Sequence, residues 1–195
     1  NRSPMQLITV NKDKCNLSYT CIRVCPAKAI KIKDNHAHII ANRCIGCGNC
    51  VTMCAQDAIE YRKEEDYVKE LLQRDEKVVA ICDPSISGEF DDINDYRSFV
   101  GMIRELGFNY VVEAAFGADL VAYKYKELLN NFHGKYYLST KCPALVNHVE
   151  RYYPDLVENL APIVNPIIAM AKVVREKYGK DVKIVSLSPC VPSKD

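Results

Sequence analysis

KCNLSYTC (residues 14–21) and RCIGCGNC (residues 43–50) lie twenty-nine positions apart and superpose without a gap. Cys15 meets Cys44, Cys21 meets Cys50, and Ser18 meets Cys47. The match continues downstream, where CIRVCPAKAIKI (21–32) and CVTMCAQDAIEY (50–61) share both cysteines and the pairs Ala29-Ile30 and Ala58-Ile59. An internal repeat therefore covers roughly residues 12–61. Each copy reads as a ligand loop, a short helix after the cysteine cluster and a brief strand, at 30–32 and at 59–61; AHIIA (37–41) supplies another strand. Neither copy can bury a core alone, so the two are expected to pack as a pseudo-twofold pair.

Cysteine usage sets this chain apart. Ten are present among 195 residues, and seven of them fall between Cys15 and Cys54. A disulfide framework needs an oxidising compartment, and no secretion signal precedes these cysteines, so crowded thiols read as metal ligands in a cytoplasmic protein. The remaining composition is that of an ordinary soluble globular chain: 48% hydrophobic, 26% charged, formal net charge +1. Lys and Arg are interspersed with Asp and Glu, which argues against nucleic acid, and no apolar run approaches a membrane span. Asn1-Arg2-Ser3-Pro4 before Met5 reads as a cloning leftover.

Cys44-x2-Cys47-x2-Cys50-x3-Cys54 is a specific spacing for iron–sulfur chemistry. Three cysteines in a tight loop reach three corners of a cubane, and the fourth, carried away on the following helix, reaches the other cluster. The same exchange sends Cys25 to the second cluster, giving Cys44, Cys47, Cys50 and Cys25 as a complete 4Fe–4S set. The first set is Cys15, Cys21 and Cys54, with Ser18 at the fourth corner. A hydroxyl must lose a far less acidic proton than a thiol and offers a harder oxygen donor. Three outcomes follow: a 3Fe–4S cluster, a 4Fe–4S cluster whose last iron is held by Ser18 or water, or an empty or partly filled site at an engineered or degenerate position. Structural zinc is the rival reading, but zinc wants four ligands at one point and has no use for the interleaved repeat.

Residues 62–77, RKEEDYVKELLQRDEK, carry apolar side chains at Tyr67, Val68, Leu71 and Leu72, the spacing of a short amphipathic connector helix. From Val78 the pattern changes. VVAIC (78–82), YVVEAA (110–115), KYYLST (135–140) and VKIVSLS (182–188) read as strands, and 93–106, 118–131, 143–152 and 166–178 as helices. With Gly107, Gly134 and Gly179 closing helices, this alternation implies an α/β domain with a parallel sheet. The expected organisation is a two-cluster bacterial-ferredoxin α+β domain at 5–62, a helical linker at 63–77 and an α/β domain at 78–195. Cys82, Cys142 and Cys190 fall at or just beyond strand ends, where such sheets gather their chemistry. Cys82 reads best as a small buried apolar residue.

FGADL (116–120), TKCPALVNHVERYYPDL (140–156) and SPCVPSK (188–194), with the two-cluster region in front, resemble the iron-only (FeFe) hydrogenases and their sensory relatives over almost the whole chain after Met5. The resemblance implies an H-cluster site, a cubane joined through a cysteine to a di-iron centre, with Cys142 before Pro143 and Cys190 after Pro189 as two cubane ligands. Asp83-Pro84-Ser85 resembles the turn that approaches the di-iron ligands.

Departures from the family are equally specific. Lys141 stands where the family has a proton-relay cysteine, Tyr125 and Leu128 where it has relay glutamates (with Glu127 close by), and Ser193, not Lys194, three residues after the motif cysteine. Fast hydrogen turnover needs a proton donor with a pKa near working pH, so the resemblance implies the slow, sensory branch. The family's last motif, with two further cysteines, is not found, so a complete H-cluster is expected only in a longer, matured protein and this chain is expected to be a fragment. The implied function is electron transfer within a hydrogenase-like protein, toward a redox partner or a missing downstream domain. A stand-alone electron-transfer module with a docking domain, and an iron–sulfur assembly scaffold, are the alternatives. His36 and His38 read as solvent-facing on a strand edge, His133 as a loop residue, and Tyr136, Tyr137, Tyr152 and Tyr153 as packing residues.

Overall fold

The structure is a computed structural model that describes residues 7–90, 93 and 95–194. Met5, where the first domain was expected to begin, lies outside the described residues, as do Asn94, inside an expected helix, and Asp195. The chain forms two compact units. The first takes Asn1–Lys63 together with Cys142–Leu160 and Cys190–Asp195; the second takes Glu64–Lys141 and Ala161–Pro189.

In the first unit, β1 (Ile8–Val10) pairs antiparallel with β4 (Ile59–Tyr61), and β2 (Ile30–Lys33) with β3 (His36–Ile39). Asp34 and Asn35 join the second pair with φ of 51° and 59°, the left-handed pair a two-residue hairpin turn requires. Two short helices, α1 (Thr20–Val24) and α2 (Asn49–Thr52), follow the cysteine loops. The repeat is visible in the backbone itself. Leu17 and Gly46 share φ of 60° and 73°, Tyr19 and Gly48 share 59° and 83°, and Lys28 and Asp57 share 47° and 48°. One core joins Leu7, Ile8, Ala29, Ile30, Ala37, Ile45 and Ile59 with the thiols of Cys21, Cys25 and Cys50. A chain segment of this size has little apolar area to bury, which is why so many small folds add metal staples.

The second unit opens with α3 (Glu65–Leu72), followed by β5 (Val78–Cys82), α4 (Tyr96–Glu105), β6 (Tyr110–Glu113), α5 (Ala115–Asn130), α7 (Pro166–Tyr178) and β7 (Lys183–Leu187); α6 (Pro143–Tyr152) belongs to the first unit. The sheet is parallel, in the order β6-β5-β7. Its central strand explains its own sequence: VVAIC is buried at every position, because Val78, Ala80 and Cys82 face Leu71, Ile103 and Phe108 while Val79 and Ile81 face Met170 and Val174. The helix starts are set by capping. The Asp95 carboxylate accepts the Arg97 N–H at 2.8 Å, and Asn165 Oδ1 accepts the Ile168 N–H at 2.9 Å with Pro166 in the first turn. α5 and α7 pack closely at Gly117, where a Cβ would collide with the Pro166 carbonyl and press on Met170.

Three local expectations need correcting. Residues 135–140 form no strand; only Leu138 makes a bridge, its carbonyl accepting the Ala161 N–H at 2.9 Å. β-propensity at Tyr136 and Tyr137 reports a fit to a pleated surface, and no strand lies alongside to complete it. Consequently Cys142 does not follow a strand end. Gly134 closes no helix, since α5 ends at Asn130. His36 and His38 are half-buried, not solvent-facing. No helix among the described residues is long and apolar enough to cross a membrane.

Candidate metal centres

Two cavities in the first unit collect the cysteines of the repeat. One is lined by Cys25, Cys44, Cys47 and Cys50, with Ile8, Ile30 and Ile45 among its apolar walls. The other is lined by Cys15, Ser18, Cys21 and Cys54, with Ile32, Ala37 and Ile59. In each, three positions come from one copy's loop and the last from the exit of the other copy's helix. Both cavities are small, about 10 and 20 Å³, and the serine-bearing one is no smaller than its partner. Among the described residues no three His, Cys, Asp or Glu side chains converge on a single-ion site; the thiols stand around cavities, not on a point.

The electrostatics follow the same grouping. Burial pushes the Cys50 thiol up to about 12, and Cys44, Cys47 and Cys25 add to the shift. Burial also raises Cys21, with Cys15 and Cys54 adding, and raises Cys44, where Arg151 opposes the rise. Bare thiols at Cys21, Cys44 and Cys50 therefore stay protonated at neutral pH, and a metal group that takes them as ligands must displace those protons. Two sulfurs also receive backbone hydrogen bonds in matching places: the Ala29 N–H donates to Cys25 Sγ at 3.2 Å and the Ala58 N–H to Cys54 Sγ at 3.3 Å. Each bond favours a negatively charged sulfur.

The loops hold these positions through uncommon backbone. Gly46 and Gly48 take positive φ without penalty, and each also lacks room for a side chain: a Cβ would lie 2.9 Å from Leu7 Cδ2 at Gly46 and 3.1 Å from Val191 Cβ at Gly48. Leu17 and Tyr19 adopt the same conformation with full side chains, which for bulky residues stores strain. Ser18 sits between them, exposed. The first loop thus keeps the shape of the second at the cost of two strained residues.

Cys142 and Cys190 are both exposed and both belong to the first unit. Cys142 precedes α6 at its N-cap position, with Pro143 as the first helical residue. Cys190 precedes the 3₁₀ turn Val191–Lys194, whose Val191 is the side chain pressed on Gly48 between Cys47 and Cys50. Cys82, by contrast, is the buried last residue of β5. Lys141 is exposed; Tyr125 is half-buried, its hydroxyl accepting the Thr140 N–H at 3.2 Å, and Glu127 pairs with Lys124 at 2.7 Å. His148 packs its ring against Tyr152 and Tyr153 at centroid distances of 5.1 and 5.4 Å.

Arg151 escaped the sequence reading, and Tyr152, read there as a packing residue, also reaches backbone carbonyls. Arg151 donates from Nη1 to the Ala41 carbonyl at 2.8 Å and to the Cys44 carbonyl, and the Tyr152 hydroxyl lies 2.7 Å from the Ala27 carbonyl and 2.9 Å from the Arg43 carbonyl. No local signal marks them, because their partners lie more than one hundred positions away (107 to 125).

Residues 76–195 match the family model described as iron-only hydrogenase large subunit, C-terminal domain, and residues 13–65 match the LdpA Fe-S cluster-binding domain. The chain is 26% identical to iron hydrogenase 1 of Clostridium pasteurianum over 226 aligned positions, covering 96% of this chain and 38% of that protein. It is 24% identical to the NADP-reducing hydrogenase subunit HndD of Solidesulfovibrio fructosivorans, over 92% of this chain and 34% of that one. The chain thus spans little more than a third of the length of these relatives. A solved FeFe-hydrogenase structure is similar in fold, with a TM-score of 0.53 at 21% identity over 68% of this chain and 40% of that one. These matches support an iron–sulfur segment joined to the parallel-sheet domain described above. With the model covering 120 of 195 residues (76 to 195 inclusive), the chain belongs to the iron-only hydrogenase large-subunit family.

Proposed function

We propose that this chain is the electron-transfer part of a hydrogenase-like protein, carrying two iron–sulfur clusters beside a hydrogenase-type site. The observation that carries this reading is the pair of matching cavity linings, each drawing three positions from one loop of the repeat and the fourth from the other copy. Cys25, Cys44, Cys47 and Cys50 would hold a 4Fe–4S cluster. Cys15, Cys21 and Cys54 would hold either a 3Fe–4S cluster or a 4Fe–4S cluster completed by Ser18 or water. Such clusters, when bound, supply single-electron transfer. The chain's own part is to orient the thiols, to keep water off them with the isoleucine walls, and to stabilise sulfur charge through the Ala29 and Ala58 N–H groups.

Cys142 and Cys190 would give two ligands to a hydrogenase-type centre. Two thiols do not hold a cubane, so that centre needs ligands from outside these residues. Val191, packed on Gly48, ties the Cys190 turn to the second cysteine loop and supports the second cluster as the one that exchanges electrons with that site. Lys141 before Cys142, Tyr125 and Leu128 on α5, and Ser193 after Cys190 favour the slow or sensory branch, because they replace the relay cysteine, the relay glutamates and the motif lysine that the resemblance implies. We place this activity in the cytoplasm, with a redox partner protein as electron source or sink.

Electron paramagnetic resonance on anaerobically prepared protein, with iron and sulfide counts, tests the reading. About seven irons per chain and an oxidised 3Fe–4S signal that Ser18→Cys abolishes would assign the three-iron form, whereas about eight irons without that signal would assign Ser18 or water to the fourth corner. Zinc in place of iron, or no cluster signal in any state, would sink the proposal.

A further inference from the structure

Four backbone carbonyls around the second ligand set are held by two adjacent side chains of α6. Arg151 takes those of Ala41 and Cys44, and Tyr152 meets those of Ala27 and Arg43. The four are not scattered. Cys44 is itself a proposed ligand, Arg43 precedes it, and Ala27 lies two residues beyond Cys25, the ligand contributed by the other copy. Tyr152, whose single hydroxyl proton can go to either carbonyl, therefore sits between the two segments that must stay together for one cluster to have all four of its thiols. Arg151 adds something a tyrosine cannot, a permanent positive charge bonded to the backbone of a ligand residue.

We propose that Arg151 is a positioning residue that makes the second cluster easier to reduce, with Tyr152 as the neutral half of the same clamp. The proposal rests on the reading of Cys25, Cys44, Cys47 and Cys50 as one ligand set. Reduction adds one negative charge to the cluster, and a cation fixed against the Cys44 carbonyl stabilises that charge more than the oxidised form's. Carbonyl dipoles left unpaired at Ala41 and Cys44 would act in the opposite sense, presenting partial negative charge to the same region. Charge and hydrogen bonding thus push the equilibrium in one direction. Arg151 is exposed, so water and salt weaken the effect without abolishing it. All four carbonyls lie on segments of the second set, which makes the first cluster an internal reference in the same sample.

The test is a redox titration of the whole anaerobically reconstituted chain, read by electron paramagnetic resonance with iron counts, on the wild type and on Arg151→Gln, Arg151→Lys and Tyr152→Phe. Arg151→Gln is expected to shift the second cluster's reduction equilibrium about tenfold toward the oxidised form, which is 59 mV lower for a one-electron couple, while the first cluster stays put. Arg151→Lys keeps the charge and is expected to stay within about threefold of wild type, and the gap between it and the glutamine variant should narrow as salt rises. Tyr152→Phe should keep the potential and lose iron faster to a chelator. An unmoved second cluster in Arg151→Gln with full iron, or equal shifts in both clusters, overturns the proposal. If the glutamine variant sheds its iron, the lysine variant decides: iron lost there too, or a potential far below wild type, means a purely structural role. Absence of a second 4Fe–4S signal in the wild type would instead overturn the ligand reading beneath it.

Discussion

Leu17 and Tyr19 do at the residue scale what Gly46 and Gly48 do in the other copy, and the difference is measurable. A left-handed conformation costs a non-glycine residue about 1–2 kcal/mol, which persists only where the surroundings enforce it. Tyr19 is 48% exposed, so replacing it forfeits little packing. Tyr19→Gly is therefore expected to stabilise the metal-free chain by about 0.5–1 kcal/mol in urea unfolding, the relief of strain being partly offset by glycine's greater freedom when unfolded. Gly46→Ala should do the reverse and cost about 1–3 kcal/mol, because it adds both strain and a contact at 2.9 Å with Leu7. Equal effects from the two changes would mean that the loops are not held in the same shape. The serine between Leu17 and Tyr19 was legible as a substitution from the repeat alone. That the loop around it still lines a small cavity with Cys15, Cys21 and Cys54 was not, because that cavity also depends on Ile32, Ala37 and Ile59 brought in from elsewhere.

Strand β5 carries the chemistry of its element in one residue. Cys82 ends the strand opposite Glu113, and burial, with Glu113 adding, pushes its thiol up to about 11. A raised thiol pKa stabilises the folded chain fully below the ordinary thiol value of 9.0, and that contribution disappears as pH climbs from about 9 through 11. Removing the thiol should accordingly flatten the alkaline limb: Cys82→Ala is expected to be less stable than wild type at pH 7, with the gap closing by about 2 kcal/mol by pH 11 in denaturant titrations. A gap that stays constant across that range would show that Cys82 does not titrate late. β5 also illustrates why most elements could be read in advance. Five consecutive buried residues announce a central parallel strand, and capping residues such as Asp95 and Asn165 mark where helices start. The stretch at 135–140 was misread because its tyrosines have strand-like composition but no strand lies alongside them, and pairing is a property of two segments.

At the scale of the whole molecule, the chain returns twice to its first unit: once through α6 and the turn that follows it, and once through the residues after Cys190. The first unit's core includes thiols among its few buried groups, whereas the second rests on two conventional apolar faces of a parallel sheet. Stripping iron under reducing conditions is thus expected to loosen one unit and spare the other. Hydrogen exchange should speed by at least tenfold at amides of 7–63 and 143–152 while β5, β6 and β7 keep their protection; uniform loosening would contradict a metal-dependent first unit. The repeat, the spacing of its cysteines, the serine that stands opposite Cys47 and the alternation that makes a parallel α/β sheet are all legible in the chain alone. All of these are local periods, carried by neighbours within a few turns of chain. The packing of the chain is what puts Cys142 and Cys190 in the first unit and brings Arg151 and Tyr152 to the carbonyls of Ala27, Ala41, Arg43 and Cys44. The Arg151 and Tyr152 contacts close over separations of 107 to 125 residues, where no period in the chain connects the partners and only the packed fold brings them together.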